Sequence, residues 1–181
     1  MIKKIIAVLL CSIVTLRSYA QTPPIAAADL LQAAMAKAKA ADKKVFVFFH
    51  ASWCTWCRRM EASMNDGSCR AYFNSHFETV SLVVSESAAK KNLENPGADS
   101  LKTAWNGVGS GLPFWLILDS NGQVLADSRY PKAGSSEPGD NIGCPATADE
   151  VNYFLHLLRK TAGISKPDED AIRKRFRAND N

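Results

Sequence analysis

The sequence lacks the residues that staple or metallate a small domain. It holds 5 cysteines and 3 histidines in 181 residues. Only one cysteine pair, Cys54 and Cys57, stands two residues apart. Structural zinc needs four ligands, commonly two such pairs or one pair with two neighbouring histidines. His50, His76, Cys69 and Cys144 are scattered instead, which argues against zinc. Covalent haem attachment needs a histidine directly after the second cysteine, and Arg58 stands there. An excess of one charge is also missing: 22 Lys and Arg face 18 Asp and Glu, a net +4. Nothing in that balance suggests a nucleic-acid surface. No internal repeat is visible, and no apolar run reaches the roughly 20 residues of a membrane-spanning helix.

What is present describes an exported globular domain. Hydrophobic residues make up 46% and charged residues 22%, a folding rather than a disordered composition, and the length suits one domain with a real core. Lys3 and Lys4 precede an apolar run over 5–16, and Ser18-Tyr19-Ala20 places small residues before a cut at Gln21. That layout is a secretory signal; left uncleaved, it would act as an anchor. Cys11 lies inside the apolar run behind Leu10, not behind the small residue that precedes a lipid-anchored cysteine. Removing Lys3, Lys4 and Arg17 leaves 19 basic residues against 18 acidic, a net +1. The expected location is periplasmic or extracellular, where disulfides are permitted.

The expected division is a signal over 1–20, a linker over 21–28, one domain over 29–162 and an extension over 163–181 with a short helix. Asp29 is expected to cap a helix to residue 41. The apolar, β-branched and aromatic run VFVFFH over 45–50 reads as a strand buried on both faces. A helix is expected to start near Cys54 and run past Met64 to a break at Asp66-Gly67, with further helical turns over 69–76 and a strand over 77–84. Asn95-Pro96-Gly97 marks a turn before a helix over 99–105. A strand over 114–118 and another over 123–127 are joined by Ser120-Asn121-Gly122 as an antiparallel hairpin. Residues 128–146 read as a long polar loop. Thr147 caps an amphipathic helix to 162, and a small terminal helix is expected over 167–177. The fold class is α/β: a central mixed sheet, parallel strands plus a terminal antiparallel hairpin, flanked by helices.

The chemistry sits where the buried strand hands over to a helix, at Trp53-Cys54-Thr55-Trp56-Cys57. A thiolate at a helix N-terminus meets unpaired N–H groups and the positive end of the helix dipole, which lowers its pKa below about 8.5. Such a first cysteine attacks a substrate disulfide, and the second, one turn on, resolves the mixed disulfide. A purely structural disulfide is the bland alternative, although so short a loop constrains little.

The segments FFHASWCTWCRRM and GLPFWLILDSNGQVL resemble the active-site segment and the cis-proline and hairpin segment of thioredoxins, in the family's order and spacing over roughly residues 29–162. The likeness is to small secreted or periplasmic thioredoxin-like proteins more than to cytosolic thioredoxin. It implies Cys54 as nucleophile, Cys57 as resolving thiol, Trp53 as a shielding aromatic, and Pro113 as a cis-proline beside which a substrate strand pairs. Thr55, Trp56 and Leu112 then border the sulfurs and select substrates. No cofactor and no metal are implied. The implied partners are protein thiol or disulfide substrates and a membrane redox protein, with the chain itself a monomer.

The sequence also departs from the family. Its buried aspartate falls at Phe48, and the usual Gly-Pro between the cysteines is Thr55-Trp56. His50 is either a proton carrier in place of that aspartate or a histidine packed beneath the helix. Trp105, Phe114 and Trp115 read as core and rim aromatics, Arg58 and Arg59 as a solvated helix face (with a Cys57 or Cys54 thiolate favoured by Arg58 as the alternative), and the run from Arg173 to Arg177 as a solvated tail with Phe176 pinning it to the body. Cys69 and Cys144 are expected to be unpaired, Cys144 bordering the active-site groove and Cys69 in the core. The leading function is thiol–disulfide exchange on exported proteins. The alternatives are a specialised reductant for cytochrome maturation or a peroxidase, and a thioredoxin-fold binding module without catalysis.

Overall fold

A computed structural model describes residues 23–131 and 138–180; the leader expected over 1–20 lies outside them. The run of five consecutive buried residues from Val45 to Phe49 forms β1 (Lys44–His50). An uninterrupted apolar strand needs cover on both faces, and β1 is accordingly interior. The sheet order is β2-β1-β3-β4, with β2 (Phe77–Val83), β3 (Phe114–Leu118) and β4 (Val124–Asp127). β2 runs parallel to β1, whereas β3 is antiparallel to both β1 and β4. This is the mixed sheet expected from the sequence.

Alternation along β1 divides the core. Phe46 and Phe48 face α2 (Thr55–Met64), α3 (Arg70–His76), α5 (Ala148–Ala162) and α6 (Lys166–Arg177), sharing a cluster with Met60, Phe73, Phe154 and Phe176. Val45, Val47 and Phe49 face α1 (Ala27–Ala40) and α4 (Ala98–Ala104), with Ala34, Ala38, Phe114 and Leu116. A chain of aromatic contacts crosses the first half: Phe46 on Trp115 at 5.4 Å, Trp115 on Phe154 at 5.3 Å, Phe154 on Phe176 at 5.1 Å.

Helix starts follow their caps. Thr147 and Glu150 form a complete capping box on α5, each satisfying N–H groups that the first turn leaves free. Ser165 caps α6. α1 starts at Ala27 without a side-chain cap, two residues before the expected Asp29. Asp29 instead occupies the first turn, where its charge suits the positive end of the helix dipole.

Two expectations for the C-terminal third need correction. The stretch read as a polar loop over 128–146 contains β5 (Arg129–Pro131) and β6 (Pro138–Asn141), paired antiparallel, and Ile142 to Ala146 are buried. Strands this short, ended by prolines, leave no alternation to read. The basic run over 173–177 is more than a solvated tail: Lys174 is exposed, whereas the three arginines form ion pairs, and Phe176 pins the run to the body as expected. Arg173 pairs with Glu169 at 2.9 Å, Arg175 with Asp66 at 3.4 Å, and Arg177 with Asp180 at 2.9 Å. On the other face of α6, Ile172 and Phe176 are completely buried; burying each such side chain contributes about 2 kcal/mol. No helix among the described residues is long and apolar enough to cross a membrane.

Candidate active site

The parallel pairing of β1 aims its C-terminal end at the turn that starts α2. Val84 N–H donates to His50 O at 2.9 Å, so the pairing persists one residue beyond the strand before the chain turns. Cys54 is the N-cap of α2, and its Sγ accepts the Cys57 N–H at 3.0 Å. A sulfur there receives one of the amides that every helix start leaves unpaired. Cys54 and Cys57 form a disulfide with Cα atoms 5.3 Å apart. The two cysteines are 3% and 2% exposed, so burial does not distinguish them in this oxidised form; their places on the helix do.

Two clamps fix this turn. Glu86, in the segment after β2, is 5% exposed. Its carboxylate accepts the Ser52 N–H, and also the Ser52 hydroxyl at 2.8 Å. From the opposite side Arg58 donates to Ser52 O at 2.9 Å and to Thr55 Oγ1 at 3.0 Å. Arg58 is exposed, as expected of a solvated helix face, and also acts as a brace; Arg59 is half-buried, its guanidinium 4.6 Å from the Trp56 ring centre. Trp53 donates its indole N–H to Ser85 O at 2.8 Å.

Trp53 and Trp56 remain exposed, at 57% and 45%. A groove of about 400 Å³ runs past Trp56 and is lined by Leu112, Ile142, Cys144, Glu150 and Asp180 among others. Leu112 packs against the same buried cluster that contains both redox cysteines. The Leu112–Pro113 peptide bond is cis. Asn141, at the end of β6, donates through Nδ2 to Gly111 O at 2.9 Å and Pro113 O at 3.0 Å. The hairpin that the sequence concealed therefore braces the groove wall opposite α2. Of the residues expected to meet substrate, Trp56 and Leu112 share this groove. Thr55 has its hydroxyl engaged by Arg58, and Pro113 is buried.

Phe48 is buried and stacks on His50 with ring centres 5.5 Å apart. Burial holds the His50 pKa below its ordinary value, against the opposing pull of Glu61 and Glu86. Cys69 and Cys144 are both free, as expected; Cys144 borders the groove but is buried like Cys69. Among the described residues no cluster of His, Cys, Asp or Glu could hold a metal ion. Glu86, Asn141 and Asn179 escaped the sequence reading. A polar residue meeting the site across 34 positions, as Glu86 does, leaves no local signal.

A thioredoxin-like family model matches residues 26–120, just over half of the chain, and the chain belongs to that family. Its disulfide at a helix start gives it the chemistry of a thiol–disulfide oxidoreductase. Among solved structures it is similar to a disulphide isomerase from Xylella fastidiosa Temecula1, at 26% identity, TM-score 0.46, covering 60% of this chain and 80% of that one. It is also similar to the oxidoreductase DsbH (20% identity, TM-score 0.43, 70% and 79% covered). A third is the oxidised C-terminal domain of DsbD from Neisseria meningitidis (19%, 0.39, 75% and 97%). No curated protein sequence matches the chain.

Proposed function

We propose that this protein exchanges disulfides with exported protein substrates, Cys54 acting as nucleophile and Cys57 as resolving thiol. The observation that carries the assignment is the Cys57 N–H directed at Cys54 Sγ at 3.0 Å from the helix start. In the reduced protein the same amide and the helix dipole favour a thiolate at Cys54, which is the species that attacks disulfides. Cys57, inside the first turn, has no equivalent place.

In the reducing direction the Cys54 thiolate attacks one sulfur of a substrate disulfide. The Cys54–substrate bond forms, and the other substrate sulfur leaves as a thiolate that takes up a proton. Cys57 then gives up its proton, its thiolate attacks Cys54 Sγ, and the second substrate sulfur leaves as a thiolate that is protonated in turn. Two electrons have passed to the substrate, and the Cys54–Cys57 disulfide remains. A dithiol donor, such as a membrane redox protein, restores the pair by the same two exchanges; the reverse sequence oxidises a substrate dithiol. Trp56 and Leu112 face the substrate in the groove, Pro113 sets the wall beneath them, and Trp53 and Thr55 cover the turn. Export rests on the basic, apolar and small-residue order of residues 1–20.

The test is reduction of insulin by the mature chain with dithiothreitol as donor. Alongside it, non-reducing electrophoresis compares Cys57→Ser and Cys54→Ser incubated with substrate. Turnover, with mixed disulfides on Cys57→Ser and none on Cys54→Ser, is the expected result. An inert wild type, or adducts on the opposite variant, overturns the proposal. The potential of the pair then sets the direction, within about −270 to −120 mV for this chemistry.

A further inference from the structure

The last described residues, Ala178–Asp180, form a short 3-10 turn after α6 and meet the active-site helix at a polar junction, Asn179 lying 120 positions from Arg59. Arg59 Nη1 donates to Asn179 O at 2.8 Å while the same guanidinium covers the Trp56 ring at 4.6 Å. The Asn179 side chain, in a residue 5% exposed, donates through Nδ2 to Ser63 Oγ at 3.0 Å. The same Nδ2 reaches Cys144 Sγ and Pro145 O, each at 3.4 Å. Its Oδ1 accepts from Arg175 at 3.3 Å. Arg177 donates to Ala146 O and pairs with Asp180 at 2.9 Å. Asp180 itself lines the groove with Trp56 and Leu112.

One buried amide thus joins both walls of the groove. Its bond to Ser63, together with the bond from Arg59 to the Asn179 backbone carbonyl, holds the α2 wall that presents Trp56. Through Cys144 and Pro145 it holds the opposite segment. A buried amide is costly unless paired, so this one constrains the spacing of everything it bonds. Phe176, one turn earlier and completely buried, fixes where the turn begins. The guanidinium between Asn179 O and the Trp56 face restricts the indole further, because a cation over an aromatic ring is attracted to its face.

We propose that the Ala178–Asp180 turn, through Asn179 and Arg59, is a positioning element for the protein-substrate groove. It sets the orientation of Trp56 and the groove width without touching the reacting sulfurs. This role rests on the disulfide-exchange function proposed above. A protein disulfide must lie along the groove to reach Cys54, whereas a small disulfide needs only the sulfurs, so the two substrates separate the element's contribution from the chemistry.

The experiment uses the full mature chain and its Arg59→Met, Arg59→Lys and Asn179→Ala variants, with insulin and with 2-hydroxyethyl disulfide. Arg59→Met and Asn179→Ala should raise KM for insulin about tenfold with kcat within about twofold, the pattern of lost binding rather than lost chemistry. Exchange with 2-hydroxyethyl disulfide and the Cys54–Cys57 reduction potential should not move. Arg59→Lys, which keeps a cation and a donor, should recover part of the insulin KM. An unchanged insulin KM overturns the proposal, and so does a parallel loss with both substrates. If Asn179→Ala fails to fold, Arg59→Met at its half-buried position decides alone. A wild type inert toward both disulfides overturns the exchange function itself, and this role with it.

Discussion

The chain places cysteines in two kinds of surroundings, and the contrast shows what makes a sulfur reactive. Cys54 and Cys57 are as buried as the others, at 3% and 2% against 0% for Cys69 and 5% for Cys144. The difference lies in the backbone. Cys54 Sγ meets an amide at a helix start, and exposed indoles and an open groove flank the pair. Cys144 borders the same groove, yet its sulfur meets a side-chain amide at 3.4 Å, and burial pushes its thiol up to about 12. Burial likewise pushes up the Cys69 thiol, against a weak contact to Ser68. Distance to the site therefore matters less than whether the local backbone favours a thiolate.

The largest effect tests that contrast directly. Cys54→Ser should lower insulin reduction by at least about a thousandfold, since the nucleophile itself is lost. Cys144→Ala should leave kcat within about twofold, because no step of the exchange uses that sulfur; any change should fall on KM, through its place in the groove wall. Both are read in the same turbidity assay. A Cys144→Ala variant as slow as Cys54→Ser would make the groove thiol a third participant.

The same contrast explains how much of the molecule was legible in its sequence. The strands containing Phe46 and Ile117 announce themselves as apolar runs, Thr147 and Glu150 mark a helix start three residues apart, and the redox pair sits at a strand-to-helix junction. Each signal lies within a few residues of what it specifies. The β5–β6 hairpin was hidden because one short strand ends at Pro131, the other begins at Pro138, and neither carries an alternation. Glu86 in Ser85-Glu86-Ser87 and Asn179 near the terminus look like solvated polar residues, because their partners lie 34 and 116 positions away. Position in the fold, not residue type, gives them a place at the site.

The next effect is smaller and belongs to the redox turn alone. Glu86→Ala removes the partner of both the Ser52 N–H and the Ser52 hydroxyl. Losing hydrogen bonds to a buried charged group costs about 2 kcal/mol, and urea denaturation should show the loss. Exchange should also slow, because the turn presenting Cys54 is released on one side. Glu86→Gln keeps an acceptor for Ser52 and should recover most of the stability. Equal losses in the two variants would mean that charge, not hydrogen bonding, holds the turn.

The smallest effect concerns Cys144 and is absent at neutral pH. Its thiol is raised from an ordinary 9.0 to about 12, chiefly by burial, with Arg59 and Arg175 pulling the other way. Above pH 9 the unfolded chain therefore gives up this proton while the folded chain keeps it. The unfolded state binds fewer protons there, so stability falls as pH rises. The contribution is complete below pH 9 and is lost between about 9 and 12. Tyr72, Tyr130, Tyr153 and Cys69 are also raised by burial, so the total slope does not isolate Cys144. The difference between wild type and Cys144→Ala does, because those four groups are common to both. That difference should be constant from pH 7 to 9 and shrink from 9 to 11 in urea titrations. Iodoacetamide at pH 8 should correspondingly label Cys144 only after unfolding. Parallel stability curves up to pH 11, or rapid labelling of the folded protein, would place Cys144 with the reactive pair and erase the contrast between the two kinds of sulfur.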